Sequence, residues 1–145
     1  MSPEKILVLC TGNSCRSQMA EAFLKSFDKY LQVYSAGTNP ALIVHPKAVQ
    51  VMKEVGLDMS RSSPKDVRQF LHESFDYVIT VCDHARETCP VFIGRVGQHV
   101  HIGYEDPSFA VGSNEEIMRE FRRVRDEIGE GMLSFYEKLK VGKGE

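Results

Sequence analysis

The sequence predicts a single doubly wound α/β domain with a mostly parallel sheet, and three observations carry that expectation. The run KILVLC, Lys5 to Cys10, is continuously apolar, as a strand buried on both faces tends to be. Stretches with apolar residues at helical spacing alternate with such runs along the chain. The first run also leads straight into a small polar loop, TGNSCRS, at Thr11 to Ser17.

In chain order, Met19, Ala20, Phe23, Leu24 and Phe27 recur at helical spacing, which predicts a helix from the loop's end to Lys29. LQVYSA, Leu31 to Ala36, predicts a second strand, ended by Gly37. Ala48, Val51, Met52 and Val55 share a second helical face, with Pro46 suited to its first turn and Gly56 to its end. The β-branched run YVITV, Tyr77 to Val81, predicts a third strand closing on Cys82, and a weaker fourth lies around Gln98 to Ile102. The last helix has the clearest stripe: Ile117, Phe121, Val124, Ile128, Met132, Phe135 and Leu139. Ser113 and Glu116 have capping-box spacing at its start. Gly129 and Gly131 each cost about 1 kcal/mol relative to alanine inside a helix, which leaves room for a bend or break. Arg122, Arg123 and Arg125 fall mostly off the stripe, with Asp126 and Glu127 one turn on from the first two, and read as a solvated face of i,i+4 pairs.

Length and composition bound what such a domain does. Residues 1–145 fit one domain with room for a core that needs no disulfide staples. A formal charge of −2 offers no basic surface for nucleic acid. No apolar stretch approaches the roughly 20 residues of a membrane span, so no membrane partner is expected. The start, MSPEKILVLC, lacks the basic and long apolar regions of a signal peptide. A cytosolic location is therefore expected, and a monomer of this size. In a reducing compartment the four cysteines read as catalytic, redox or metal-binding groups rather than a framework.

The opening loop is where chemistry is expected. In a doubly wound sheet, ligands bind outside the carboxyl ends of the strands, and this loop leaves its strand there and enters a helix. Backbone N–H groups of Thr11, Gly12, Asn13, Ser14, Cys15 and Arg16 then converge on one small space that favours an anion. Gly12 permits a turn with positive φ, and Asn13 tolerates left-handed backbone. Arg16 adds a fork of donors matched to a tetrahedral oxyanion. In C-x5-R-S the floor thiol is Cys10, with Cys15 at the rim. The amides, and a hydrogen bond from Ser17, favour the Cys10 thiolate and make it the candidate nucleophile. Asp106, held extended before Pro107, is the candidate acid for the leaving oxygen.

The segments CTGNSCRSQMAEAF, VYSAG, MKEVGLDMS, Cys82 to Cys89, EDP and FRRVRDEI resemble the thioredoxin-coupled arsenate reductases, which share their fold with low-molecular-weight protein tyrosine phosphatases. The resemblance covers nearly the whole chain. It implies a four-stranded parallel sheet of order 2-1-3-4 flanked by helices, with the C-x5-R loop as oxyanion site. It also implies a relay. An arsenate adduct on Cys10 is attacked at sulfur by Cys82, and Cys89 then carries the oxidation outward as a Cys82–Cys89 disulfide for thioredoxin to reduce. No cofactor and no metal are expected.

Other readings stand beside this one. A tyrosine phosphatase would use Cys10, Arg16 and Asp106 and need neither Cys82 nor Cys89. Phosphatases of this fold resemble one another in a proline where this chain has Gln18, and in aromatic residues directly after the Asp-Pro, where it has Ser108. A zinc site from Cys82, His84, Cys89 and His99 or His101 would need an unusual C-x6-C spacing. An anion-binding module without catalysis would leave the acid–nucleophile–arginine set unused. Family members that bind a structural potassium ion use residues matching Asn13, Glu21, an oxygen near Ser35, and an Asp where this chain has Lys65. The Lys65 ammonium is expected to take the ion's place, paired with Glu21 or Asn13.

Overall fold

The computed structural model describes residues 4–142. Four strands, β1 (Lys5–Cys10), β2 (Gln32–Gly37), β3 (Phe75–Thr80) and β4 (Val96–His101), form one sheet in the order β2-β1-β3-β4. Every pairing is parallel. This is the expected order, and it follows from burial. All of β1 after Lys5 is buried, so the continuous apolar run takes a central place between β2 and β3. β4 lies at an edge with its residues mostly exposed or half-buried, which is why its apolar signal is weak.

Four helices connect and cover the strands: α1 (Arg16–Phe27), α2 (Pro46–Glu54), α3 (Asp83–Thr88) and α4 (Asn114–Gly142). Parallel neighbours require a crossover, and α3 supplies the one between β3 and β4 that the expected element order lacked. Its polar sequence hid it, since only Ala85 among its six residues is buried. α1 stops at Phe27 rather than Lys29, because Asp28 turns extended and caps the end. Strand ends shift by one or two residues: β2 and β4 end on Gly37 and His101, and β3 begins at Phe75. Val55 follows α2 as its C-cap and is exposed, leaving Ala48, Val51 and Met52 as the buried face.

α4 runs unbroken through Gly129 and Gly131, against the expectation of a bend. The glycines serve packing. A Cβ at Gly129 would stand 3.0 Å from the Phe23 ring of α1, and one at Gly131 would collide with the Tyr104 hydroxyl. Ser113 and Glu116 form the reciprocal capping box, with bonds of 3.1 and 3.0 Å between each backbone N–H and the other's side chain.

The arginine face also differs from expectation. Arg123 does pair with Glu127 one turn on, at 2.8 Å. Arg125 is buried, and its Nη1 donates to the Val51 carbonyl at 3.0 Å and to Glu54 at 2.8 Å. Arg122 reaches the same Glu54. The carbonyls of a helix's last turn lack partners within the helix, so Arg125 acts as a cap on α2 supplied from α4. Among the described residues no helix is long and apolar enough to cross a membrane.

Candidate active site

The loop from Cys10 to Arg16 is shaped by where its carbonyls go. Those of Cys10, Thr11, Gly12 and Ser14 accept from Thr38, Asn39, Ala41 and His45 at 3.2, 2.9, 2.9 and 2.8 Å. The carbonyls are thus turned outward to the 38–45 segment, and the Thr11 N–H acts to lower the Cys10 pKa, against the larger effects that raise it. Gly37, at the end of β2, has no room for a side chain, because a Cβ there would strike the Thr11 carbonyl.

The left-handed residue is Asn13, at φ 49°; Gly12 does not adopt the positive φ expected of it. Asn13 is fully buried and tied on every side. Its Nδ2 donates to Ser17 at 2.8 Å and Ser35 at 2.9 Å, and its Oδ1 accepts from the Lys65 backbone at 2.9 Å and Gln18 at 3.1 Å. These bonds offset the strain of a non-glycine residue at positive φ. Ser17, expected to donate to Cys10, is turned to Asn13 instead. Ser35 donates in turn to Glu21. Lys65 does not pair with Glu21 or Asn13 through its ammonium. Its Nζ donates to the Ser63 carbonyl at 3.0 Å, where burial lowers its pKa and the nearby Glu21 charge partly offsets that.

Cys82 follows β3, and its sulfur meets that of Cys10. The Cys10 thiol donates to Cys82, and this bond is the largest influence on both. Cys82 is pushed down to about 5 by that donor, by the Thr11 hydroxyl 3.4 Å away, by the Ala85 N–H at 3.4 Å, and by the Arg16 charge. Cys10 is raised, first because it holds the shared proton and then because it is buried. Cys10 and Cys82 thus titrate as one coupled pair, with Cys82 the more acidic of the two.

Arg16 reaches over the pair. Its Nη1 donates to the Tyr104 carbonyl at 3.0 Å and its Nη2 to Asp106 at 3.3 Å. The other Asp106 oxygen accepts from the Ser108 N–H and hydroxyl at 2.9 and 2.6 Å, which fixes the carboxylate's direction. Thr11, Arg16, Cys82, Tyr104, Asp106 and the exposed Phe109 line one cleft of about 670 Å³. Cys10 is buried and does not line the cleft; together with it this set has the groups to bind a tetrahedral oxyanion, attack it through sulfur and protonate a leaving oxygen.

The remaining cysteines differ in place. Cys15, expected at the rim, is buried at the N-cap of α1, and burial pushes its pKa up to about 12. Cys89 ends α3 and is half-buried, with its pKa raised by that burial. All four are free thiols.

Gln18 is the largest omission from the sequence reading, where it stood only as a missing proline. Buried in α1, its amide donates to the Asn13 carbonyl and side chain and to the Ser63 carbonyl at 3.0 Å, joining the loop to the segment before Lys65. The Tyr104 carbonyl was likewise missed, since no side-chain pattern marks a backbone acceptor.

A parallel 2-1-3-4 sheet with a cysteine–arginine loop at the head of its first strand is the architecture of a phosphatase-type oxyanion site. A profile of the low molecular weight phosphotyrosine protein phosphatases matches residues 5–143, and the chain belongs to that family. Within it the chain is 45% identical to an arsenate reductase of Halalkalibacterium halodurans and 42% identical to one of Bacillus subtilis. Both matches cover 94% of this chain and 98% of the relative. Among solved structures, an arsenate reductase in the phosphate binding state superposes with a TM-score of 0.78 at 30% identity, over 93% of this chain and 98% of the other. A low molecular weight protein tyrosine phosphatase from T. tengcongensis shares the fold, with a TM-score of 0.78 at 23% identity over 93% of this chain and 99% of that one.

Proposed function

We propose that the protein reduces arsenate to arsenite, with Cys10, Cys82 and Cys89 as the relay and thioredoxin as the reductant. The observation that carries the reading is the sulfur contact between Cys10 and Cys82, a pairing that hydrolysis does not use. In the first step the shared proton moves to Cys82, and the Cys10 thiolate attacks arsenic in dihydrogen arsenate bound by the loop amides and Arg16. The Asp106 carboxylate takes that proton from Cys82 and passes it to the departing hydroxide. Thiol and oxyanion thus give a sulfur–arsenic adduct and water.

Cys82, a thiolate again, attacks the Cys10 sulfur. The sulfur–arsenic bond breaks with its electron pair left on arsenic, which departs as arsenite, and a Cys10–Cys82 disulfide remains. The Cys89 thiolate attacks Cys82 and expels Cys10 as thiolate. A thioredoxin dithiol then reduces Cys82–Cys89, supplying the two electrons that arsenic gained. A cytosolic monomer is the proposed setting, in keeping with four reduced thiols.

The coupled assay of arsenate-dependent NADPH consumption, with thioredoxin and its reductase, tests the relay. Cys10→Ser is expected to abolish both arsenate reduction and aryl phosphate hydrolysis. Cys82→Ser and Cys89→Ser are each expected to abolish thioredoxin-dependent turnover and spare hydrolysis. Full turnover in both single variants would sink the relay, and aryl phosphate hydrolysis with no arsenate-dependent turnover in the unaltered protein would leave phosphatase, which needs only Cys10, Arg16 and Asp106, as the function.

A further inference from the structure

We propose that His101 is a positioning residue: it clamps the Asp83 end of α3 to the sheet, keeping Cys82 against Cys10 while the Cys89 end of the helix unwinds. The inference rests on the reductase reading above. Cys82 and Cys89 stand at the two ends of α3, as its N-cap and C-cap. Seven helical steps separate their α-carbons by roughly 10 Å, whereas a disulfide requires about 4.4–6.8 Å. The helix must therefore come apart for Cys89 to reach Cys82. Cys82 must at the same time stay where it can bond to Cys10.

His101 is built to divide these two demands. It ends β4, and its Nδ1 lies 2.8 Å from the hydroxyl of Thr80, the last residue of β3. Its Nε2 lies 2.9 Å from the carboxylate of Asp83, the first residue of α3. Both ring nitrogens are engaged, so the ring cannot turn without losing a bond. Thr80 and Asp83 flank Cys82 in the chain, and the bridge spans it. Gly103 leaves this space open, for a Cβ there would press on His101 Nε2 at 3.1 Å and Asp83 Oδ1 at 3.4 Å.

The far end of α3 is held by little. Ala85 is its sole buried residue, and Arg86, Glu87 and Thr88 are exposed. A helix of six residues has no stability of its own in water. Unwinding from Cys89 backward thus exposes almost no apolar surface, whereas release at Asp83 would carry Cys82 away from its partner sulfur.

A single-turnover experiment tests this: reduced enzyme is mixed with arsenate without thioredoxin, quenched in acid, and read for released arsenite and mapped disulfides. His101→Ala and Asp83→Ala are expected to slow formation of the Cys10–Cys82 disulfide about tenfold. Asp83→Asn keeps an acceptor for the ring and is expected to stay within about twofold of wild type. Hydrolysis of p-nitrophenyl phosphate by His101→Ala is expected to stay within about twofold as well. Asp83 is exposed, so its variants keep the fold. Amide exchange in the absence of arsenate is the second readout, with exchange at Ala85 expected to quicken about tenfold in Asp83→Ala and not in Asp83→Asn. Wild-type rates of disulfide formation in His101→Ala and Asp83→Ala overturn the clamp, and so does equal slowing of hydrolysis and reduction. If wild type releases no arsenite the reductase reading fails, and unchanged Ala85 exchange then overturns the clamp on its own.

Discussion

The thiols of Cys10 and Cys82 come together across the carboxyl ends of two neighbouring strands, and each is the largest influence on the other's acidity. A bond between two sulfurs makes the acidity of each depend on the other. It makes the second cysteine, beside the Thr11 hydroxyl and the Ala85 N–H, the more acidic of the two.

That arrangement predicts the pH profile of alkylation. A thiol whose pKa is lowered to about 5 is ionised above that pH, so iodoacetamide labelling of Cys82 should rise through about pH 5 and be level by neutrality. Cys10→Ala removes the donor that lowers Cys82 most, and the midpoint should move up toward the ordinary thiol range. Mass spectrometry of the labelled peptide reads both, and an unmoved midpoint would refute the shared proton.

Gly131→Ala should destabilise the protein although alanine favours helix by about 1 kcal/mol. The new methyl would run into the Tyr104 hydroxyl, a buried group with no hydrogen-bond partner among the described residues. Removing that hydroxyl should relieve the clash: Tyr104→Phe alone should be neutral or stabilising, and the double variant should recover most of the loss. Urea unfolding of the three variants checks the cycle.

Arg125→Met should cost about 1–3 kcal/mol, because it strips the Val51 carbonyl of a charged donor. The side chain is 10% exposed, so solvent does not replace the bond. The loss should appear in thermal unfolding with the Michaelis constant unchanged, since Val51 lies more than a turn along α2 from His45, whose backbone N–H holds the loop at the Ser14 carbonyl.

Lys65 predicts indifference to potassium. Its backbone N–H already holds Asn13, and its ammonium lies near Glu21 in a half-buried place. Replacing sodium by potassium should change catalytic efficiency by less than about twofold, and Lys65→Asp should introduce a dependence. A strong activation of the unaltered protein by potassium would refute this reading.

Sequence by itself determined the sheet and the loop. KILVLC could only be a central strand, since a run apolar on both faces needs cover on both, and the C-x5-R-S spacing placed nucleophile and arginine on one turn entering a helix. The stripe of α4 and its capping box were equally legible, because both are local. What depended on contacts between distant segments was not. α3 shows no apolar period because it buries one residue, and Gly129 and Gly131 look like helix breakers until Phe23 and Tyr104 are set against them. Gln18 and Arg125 are polar residues whose partners are carbonyls, which carry no side-chain signature. Tertiary structure alone coupled the acidity of Cys10 to that of Cys82, because the coupling arises between the ends of β1 and β3, some seventy residues apart in the chain and in contact only once the sheet has formed.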